Sequence, residues 1–150
     1  MITLQAATKS DATAMMNLRN GENTHIWFYS NRKFALEEVE KWIENLDQNK
    51  DMVFMVYENN QIIGTCSLYN IEGAKAEVGR IVVDESIRGK GIGTSILQQI
   101  TQIAITKELE MLYANIKADN VSSYKAFEKA GYERTEKRPG TGYYYELRLI

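Results

Sequence analysis

The chain has 150 residues, enough for one domain with a core of its own, and its 44% hydrophobic and 25% charged residues are ordinary for a soluble globular protein. A net charge of −2 argues against nucleic acid as the main partner, since a phosphate backbone needs a broad basic surface. One cysteine allows no internal disulfide and no cysteine-rich metal site, and no apolar run approaches the roughly 18 residues of a membrane span. The opening MITLQAATKSD has neither the basic nor the apolar region of a signal peptide, so a cytoplasmic protein is expected.

Ile2 to Ala6 reads as a first strand. Ser10 or Asp11 can cap a helix that ends near Arg19-Asn20-Gly21, and Gly21 to Phe34, polar and aromatic without a period, reads as a loop. Leu36, Val39, Ile43 and Leu46 recur at helical steps and predict a helix over Leu36 to Leu46. Met52 to Tyr57 and Ile62 to Tyr69 are strands joined by an Asn59-Asn60 turn. A second turn at Gly73 leads to another strand, Ala76 to Val83. Ile92, Ile96, Leu97, Ile100, Ile103 and Ala104 mark one face of a helix. Met111 to Ile116 is a strand, and Val121 to Ala130 is a helix stopped by Gly131. Tyr132 to Lys137 and Tyr143 to Leu149 are two final strands around Pro139-Gly140. Without linker, repeat or low-complexity stretch, residues 1–150 read as one domain. The order is written βααββββαβαββ: an α/β fold with a mixed sheet and helices on both faces.

Between Val83 and the helix beginning near Ile92 stand Arg88-Gly89-Lys90-Gly91-Ile92-Gly93-Thr94. The dinucleotide fingerprint would need a glycine at position 94, and a P-loop would need Ser or Thr after Lys90, so both nucleotide motifs fail. The stretch still suits an anion. A helix start leaves about four N–H groups unpaired and carries about half a positive charge. Glycines let the backbone approach a ligand, and Arg88 and Lys90 add full charges; a pyrophosphate would satisfy all of these groups.

Arg88-Gly89-Lys90-Gly91-Ile92-Gly93 closely resembles the Arg/Gln-x-x-Gly-x-Gly/Ala signature of the GCN5-related N-acetyltransferase (GNAT) superfamily. Asn120-Val121-Ser122-Ser123-Tyr124-Lys125-Ala126-Phe127-Glu128-Lys129-Ala130-Gly131-Tyr132 is similar to that family's second cofactor motif. The resemblance covers nearly the whole chain and implies the GNAT fold and acetyl-CoA as cosubstrate, with no metal. It implies that the loop, including Thr94, holds the pyrophosphate, that Asn120 and Phe127 contact the cofactor, and that pantetheine pairs with the strand at Ile81, Val82 and Val83. There the strand from Glu77 to Val83 would splay from Leu112 to Ile116, and an N–H of Val82 or Val83 would face the thioester carbonyl.

The chemistry implied is direct attack of a primary amine on the thioester. Glu77, four residues before Ile81, is the candidate base; the competing reading leaves it in solvent beside Lys75. Many relatives place a proton-donating tyrosine where this chain has Phe127. Tyr124, one helical turn earlier, becomes the candidate acid, unless it packs or binds substrate. The acceptor region, with Arg19, Trp27, Phe28, Tyr29, Arg32 and Trp42, looks like that of relatives acting on nucleotide-linked amino sugars or on N-termini of ribosomal proteins. Aromatics would stack on a base or sugar and arginines would meet a diphosphate. A non-catalytic acetyl-CoA-binding module is the remaining alternative, and a homodimer is left open. Cys66 reads as a buried inert thiol, His25 as no metal ligand, Glu37, Glu38 and Glu40 as a solvated face. Tyr143-Tyr144-Tyr145 should put one face in the core and the other at the acceptor.

Overall fold

The computed structural model describes residues 2–20, 33–118, 120–138 and 142–150. Among them run β1 (Ile2–Ala6), α1 (Ala12–Arg19), α2 (Leu36–Glu44), β2 (Asp51–Glu58), β3 (Gln61–Glu72), β4 (Lys75–Val83), α3 (Ile92–Thr106), β5 (Met111–Ile116), α4 (Val121–Lys129), β6 (Glu133–Arg138) and β7 (Gly142–Arg148). The strands form one mixed sheet in the order β1-β2-β3-β4-β5-β7-β6. Three strands, not four, separate α2 from α3, so the order expected from the sequence carries one strand too many. The strands read one by one along the sequence are these three, and β3 runs on for 12 residues, through Asn70 at φ 49°, to the Gly73 turn.

Both faces of the sheet are covered. Phe54 and Val56 pack with the α3 and α4 side, while Val53 and Met55, one step along the same strand, pack with α1 and α2. That is why β2 reads as an unbroken apolar run. In α3, Ile96, Leu97, Ile100 and Ala104 are all buried, as their spacing predicts. Each buried isoleucine or leucine contributes about 1.5–3 kcal/mol of transfer free energy before its entropy loss is counted.

Helix ends differ slightly from expectation. Helix α1 opens after Asp11, one of the two expected caps, although no side-chain capping bond forms there; a 3-10 turn over Lys9–Asp11 precedes it, and the Thr8 N–H donates to the Asp11 carboxylate at 2.8 Å. Helix α2 stops at Glu44, short of Leu46, although Leu46 still packs on the second core.

The feature that shapes the site is the relation of β4 to its neighbours. Antiparallel to β3, it is parallel to β5, and that parallel register holds only at Lys75↔Met111, Ala76↔Leu112 and Glu77↔Tyr113. Against β3, Thr65 to Ser67 spans Val82 to Gly79, so β4 carries an extra residue, and Arg80 there takes φ 53°. Such a bulge bends its strand. Past Glu77 the β4 edge has turned away from β5, as the splayed pair predicted. Gly64 tightens the other side: a side chain there would stand 2.5 Å from the Val82 carbonyl oxygen.

Candidate active site

The fork between β4 and β5 opens into a cleft of about 390 Å³ bounded by the end of β4, the start of α3 and one face of α4. Of the residues singled out for a cofactor, all but Lys90 line it: Ile81 to Val83, Arg88, Gly89, Gly91 to Thr94, Asn120 and Phe127. Lys90 is exposed outside the lining.

The glycines earn their places differently. Gly89 and Gly91 take φ 83° and 76°, values that a side chain resists, and Gly91 is the residue from which α3 departs. Gly93 lets α3 approach α4, since an added methyl would sit 3.4 Å from the Ala126 methyl. Arg88 donates its Nε–H to the Val83 carbonyl at 3.0 Å, tying the loop to the strand end. Asn120 stands at the start of α4, but its side chain makes no capping bond there; it lines the cleft instead. Lys125 and Lys129, one helical turn apart on α4, also face the cleft, as do Ser122 and Ser123. Sequence reasoning passed over them, although two lysines at i and i+4 beside a serine pair were a usable signal. The donor set is thus unpaired helix N–H groups, a guanidinium, two ammonium groups and hydroxyls, and it fits a pyrophosphate with an extended arm along the bare β4 edge.

Glu77 sits at the fork, on the sheet face that carries α1 and α2. It is half-buried rather than free in solvent. Its Oε2 accepts the Tyr69 hydroxyl at 3.0 Å and the Asn115 amide at 3.2 Å; its Oε1 accepts the Asn70 amide at 2.9 Å. Lys75, the expected neighbour, lies instead over the Tyr113 ring at 4.9 Å. Burial first, then the Glu77 charge, pushes the Tyr69 hydroxyl far above its ordinary value, so it stays a donor. The same two causes raise Tyr113. Tyr144 stacks on Tyr113 with ring centres 5.6 Å apart, while Tyr145 is fully buried on the opposite face, so one face of the tyrosine run is core, as expected.

On the same side, Arg80 pairs with Asp51 at 2.8 Å and stacks on Tyr69 at 3.9 Å. Its guanidinium and that of Arg19 both lie against Trp42, at 5.2 and 5.9 Å from the ring centre. Burial, reinforced by the Arg80 charge, lowers Arg19 to about 10. Arg19 thus stands with Arg80 and Trp42, whereas Trp27, Phe28, Tyr29, Arg32 and His25 lie outside the described residues. Tyr124 does not line the cleft; it meets Tyr143 edge-on at 5.7 Å, with the Arg134 guanidinium 5.3 Å from its ring centre. Phe127 lines the cleft while its ring packs edge-on to Tyr132 at 4.8 Å. Cys66 is buried, and burial pushes its thiol well above its ordinary value, as an inert core cysteine requires. No helix among the described residues is long and apolar enough to cross a membrane.

Comparison with known proteins agrees with this geometry. The family model described as acetyltransferase (GNAT) domain matches residues 2–133. Protein MJ1062 of Methanocaldococcus jannaschii is 23% identical over 99% of this chain, which covers 31% of that protein. The chain spans less than half the length of the first curated relatives it matches. Among solved structures, spermidine N-acetyltransferase from Vibrio cholerae in complex with CoA and spermine superposes with a TM-score of 0.88, at 18% identity, over 99% of this chain and 95% of that one. The aminoglycoside acetyltransferase AAC(6')-Ib, solved with an aminoglycoside and acetyl-CoA, gives 0.85 at 19% identity, over 98% and 93%. These structural likenesses concern the fold; the family-model match, running through both cofactor motifs, assigns the family. The chain belongs to the GNAT acetyltransferase family.

Proposed function

We propose that this domain transfers acetyl from acetyl-CoA to a primary amine. The observation that carries the reading is the fork, where β4 and β5 part immediately after Glu77 and Tyr113 and the gap runs to the glycine loop. Bound acetyl-CoA supplies an activated acetyl thioester. The N–H groups at the start of α3, with Arg88, Lys125 and Lys129, would hold its pyrophosphate. The unpaired β4 edge at Ile81 to Val83 would hold its pantetheine arm, as an added strand would be held.

An amine with a pKa near 10 is mostly protonated at pH 7, so it must lose a proton before it can attack. Glu77 accepts that proton. Three donors leave one of its roughly four acceptor sites open. A thiolate whose acid has a pKa of about 8.5 leaves without a dedicated acid. Phe127 offers none, and Tyr124 serves by packing against Tyr143.

As acceptor class we place a nucleotide-linked amino sugar first. Trp42, with the Arg19 and Arg80 guanidinium groups against its ring, supports it, gathering an aromatic ring and two cations of the kind that meet a base and a diphosphate. A protein N-terminus is the alternative carried by the resemblance. A polyamine or aminoglycoside is favoured by a different observation: Glu72 and Glu77 act on Tyr113, and Glu146 is paired with it across the strands. Release of free thiol from acetyl-CoA, measured with UDP- and dTDP-amino sugars, N-terminal peptides, spermidine and kanamycin, decides among them. Amine-dependent release is expected. Tight acetyl-CoA binding with no release for any amine would mean a non-catalytic binding module.

A further inference from the structure

Glu77 is held by an arrangement that makes little sense as packing. Asn115 turns its amide N–H toward Glu77 Oε2 and in doing so leaves its own Oδ1 buried without any hydrogen-bond partner. The carboxylate only accepts, so the amide cannot be turned the other way without losing that bond. A buried unpaired acceptor costs about 1–3 kcal/mol, whereas an apolar side chain of similar shape would carry no such cost. Stability is given up here to keep a donor on Glu77.

Tyr69 shows a matching sacrifice on the next strand. Its hydroxyl reaches Glu77 Oε2 across the Tyr69↔Glu77 pair, and it does so through space that a side chain at position 79 would fill. A methyl on Gly79 would stand 2.8 Å from the Tyr69 hydroxyl oxygen. Gly79 takes no positive φ, so its backbone does not require glycine; the Tyr69 hydroxyl does. Arg80, stacked on the Tyr69 ring, fixes that ring from one face.

We propose that Tyr69 and Asn115 are positioning residues for Glu77: together they pin Oε2 so that Oε1 is the oxygen turned to the substrate amine, and Gly79 is a glycine to admit the Tyr69 hydroxyl. The proposal rests on the reading of Glu77 as the base. Asn70, exposed on Oε1, is the donor that an incoming amine displaces. The other titratable or charged groups near Glu77, or near the Tyr113 it faces, are Glu72 on β3, Lys75 and Arg80 on β4, and Tyr144 and Glu146 on β7, and the bonds to Oε2 come from Tyr69 and Asn115.

Tyr69→Phe, Asn115→Leu and Gly79→Ala test it, each alone and in the Glu77→Gln background. With the amine of the panel that releases thiol fastest, each single change should lower kcat about tenfold or more, the loss expected for a hydrogen bond to a charged group. The Kd for acetyl-CoA should stay within about twofold, since the cleft is untouched, and the Tm of Asn115→Leu should not fall. In the Glu77→Gln background the same changes should have no further effect, because residues acting as a unit are not additive. Wild-type kcat in Tyr69→Phe and Asn115→Leu, or losses that add to that of Glu77→Gln, would overturn the proposal. The ¹H–¹⁵N signals of the Asn115 side-chain amide, read by NMR, need no acceptor and separate this proposal from the acetyltransferase reading. Glu77→Gln and Tyr69→Phe should both shift them, because that amide and the Tyr69 hydroxyl share Oε2; signals unmoved in both variants would overturn the positioning roles even if no amine is acetylated.

Discussion

The Nε–H of Arg88 is bonded to the carbonyl of Val83 at 3.0 Å, so the anion loop and the end of β4 move as one piece. In the proposed site the cation would be both a charge beside the phosphates and a brace between the end of β4 and the loop. Arg88→Ala should weaken acetyl-CoA binding by about 1.5–3 kcal/mol in a calorimetric titration. Arg88→Gln, which keeps an N–H donor but no charge, should fall between. Equal, unchanged Kd values for both would mean that the backbone amides suffice.

Gly91 and Gly93 should differ in how much they tolerate a side chain. Gly91→Val forces a branched side chain into φ 76°, at a cost on the order of 1–2 kcal/mol or more, and puts bulk where the phosphates approach. Gly93→Ala meets only the Ala126 methyl at 3.4 Å and needs a small adjustment between α3 and α4. Denaturant midpoints and acetyl-CoA affinity should both drop for Gly91→Val, with Gly93→Ala near wild type on both.

Glu77→Gln removes the proton acceptor and should lower turnover about 10²- to 10⁴-fold while leaving the Kd for acetyl-CoA near wild type. The rise of activity with pH should then follow the amine alone. Near-normal turnover in this variant would move the base elsewhere without touching the cofactor assignment.

Asp84 gives a stability prediction with a definite sign. Its carboxylate accepts the Ser86 hydroxyl at 2.7 Å and the Ser86 N–H at 2.9 Å, and these bonds hold it below its usual 3.8. A depressed carboxylate contributes stability above the unfolded pKa and loses it as pH falls through the folded one. Urea midpoints of wild type and Asp84→Asn should differ by a constant amount above about pH 4 and converge below it. A gap that does not change with pH would mean that the charge is not what matters. Because Asp84 is exposed, the gap itself should be small.

The cofactor half of the site was legible because local chemistry writes it. Gly89 and Gly91 are forced by their own φ, Arg88 by its charge, and the helix start by the pattern from Ile92 to Ala104. The surroundings of Glu77 are written across strands. Tyr69 meets Glu77 only because a bulge near Asn70 shifts the β3–β4 register, and Asn115 meets it only because β5 is parallel to β4. Neither shift leaves a mark in composition or periodicity. Gly79 was invisible for the same reason, since its constraint comes from a side chain on the neighbouring strand. Asn120 lines the cleft, where the resemblance puts a cofactor contact, and stands at the start of α4 without a side-chain capping bond. Tyr124 was drawn toward the sulfur by sequence spacing from Phe127, whereas its ring is held by Tyr143 and Arg134.

The central claim is that the fork and its glycine loop bind acetyl-CoA. Thermal unfolding with acetyl-CoA, CoA, NAD and ATP at equal concentration tests it most directly. A ligand at a hundred times its Kd stabilises the folded state by about 2.7 kcal/mol. Acetyl-CoA and CoA should therefore raise Tm by several degrees in wild type and much less in Gly91→Val, with NAD and ATP doing less than either. Equal shifts from all four ligands, or none from CoA, would contradict the account.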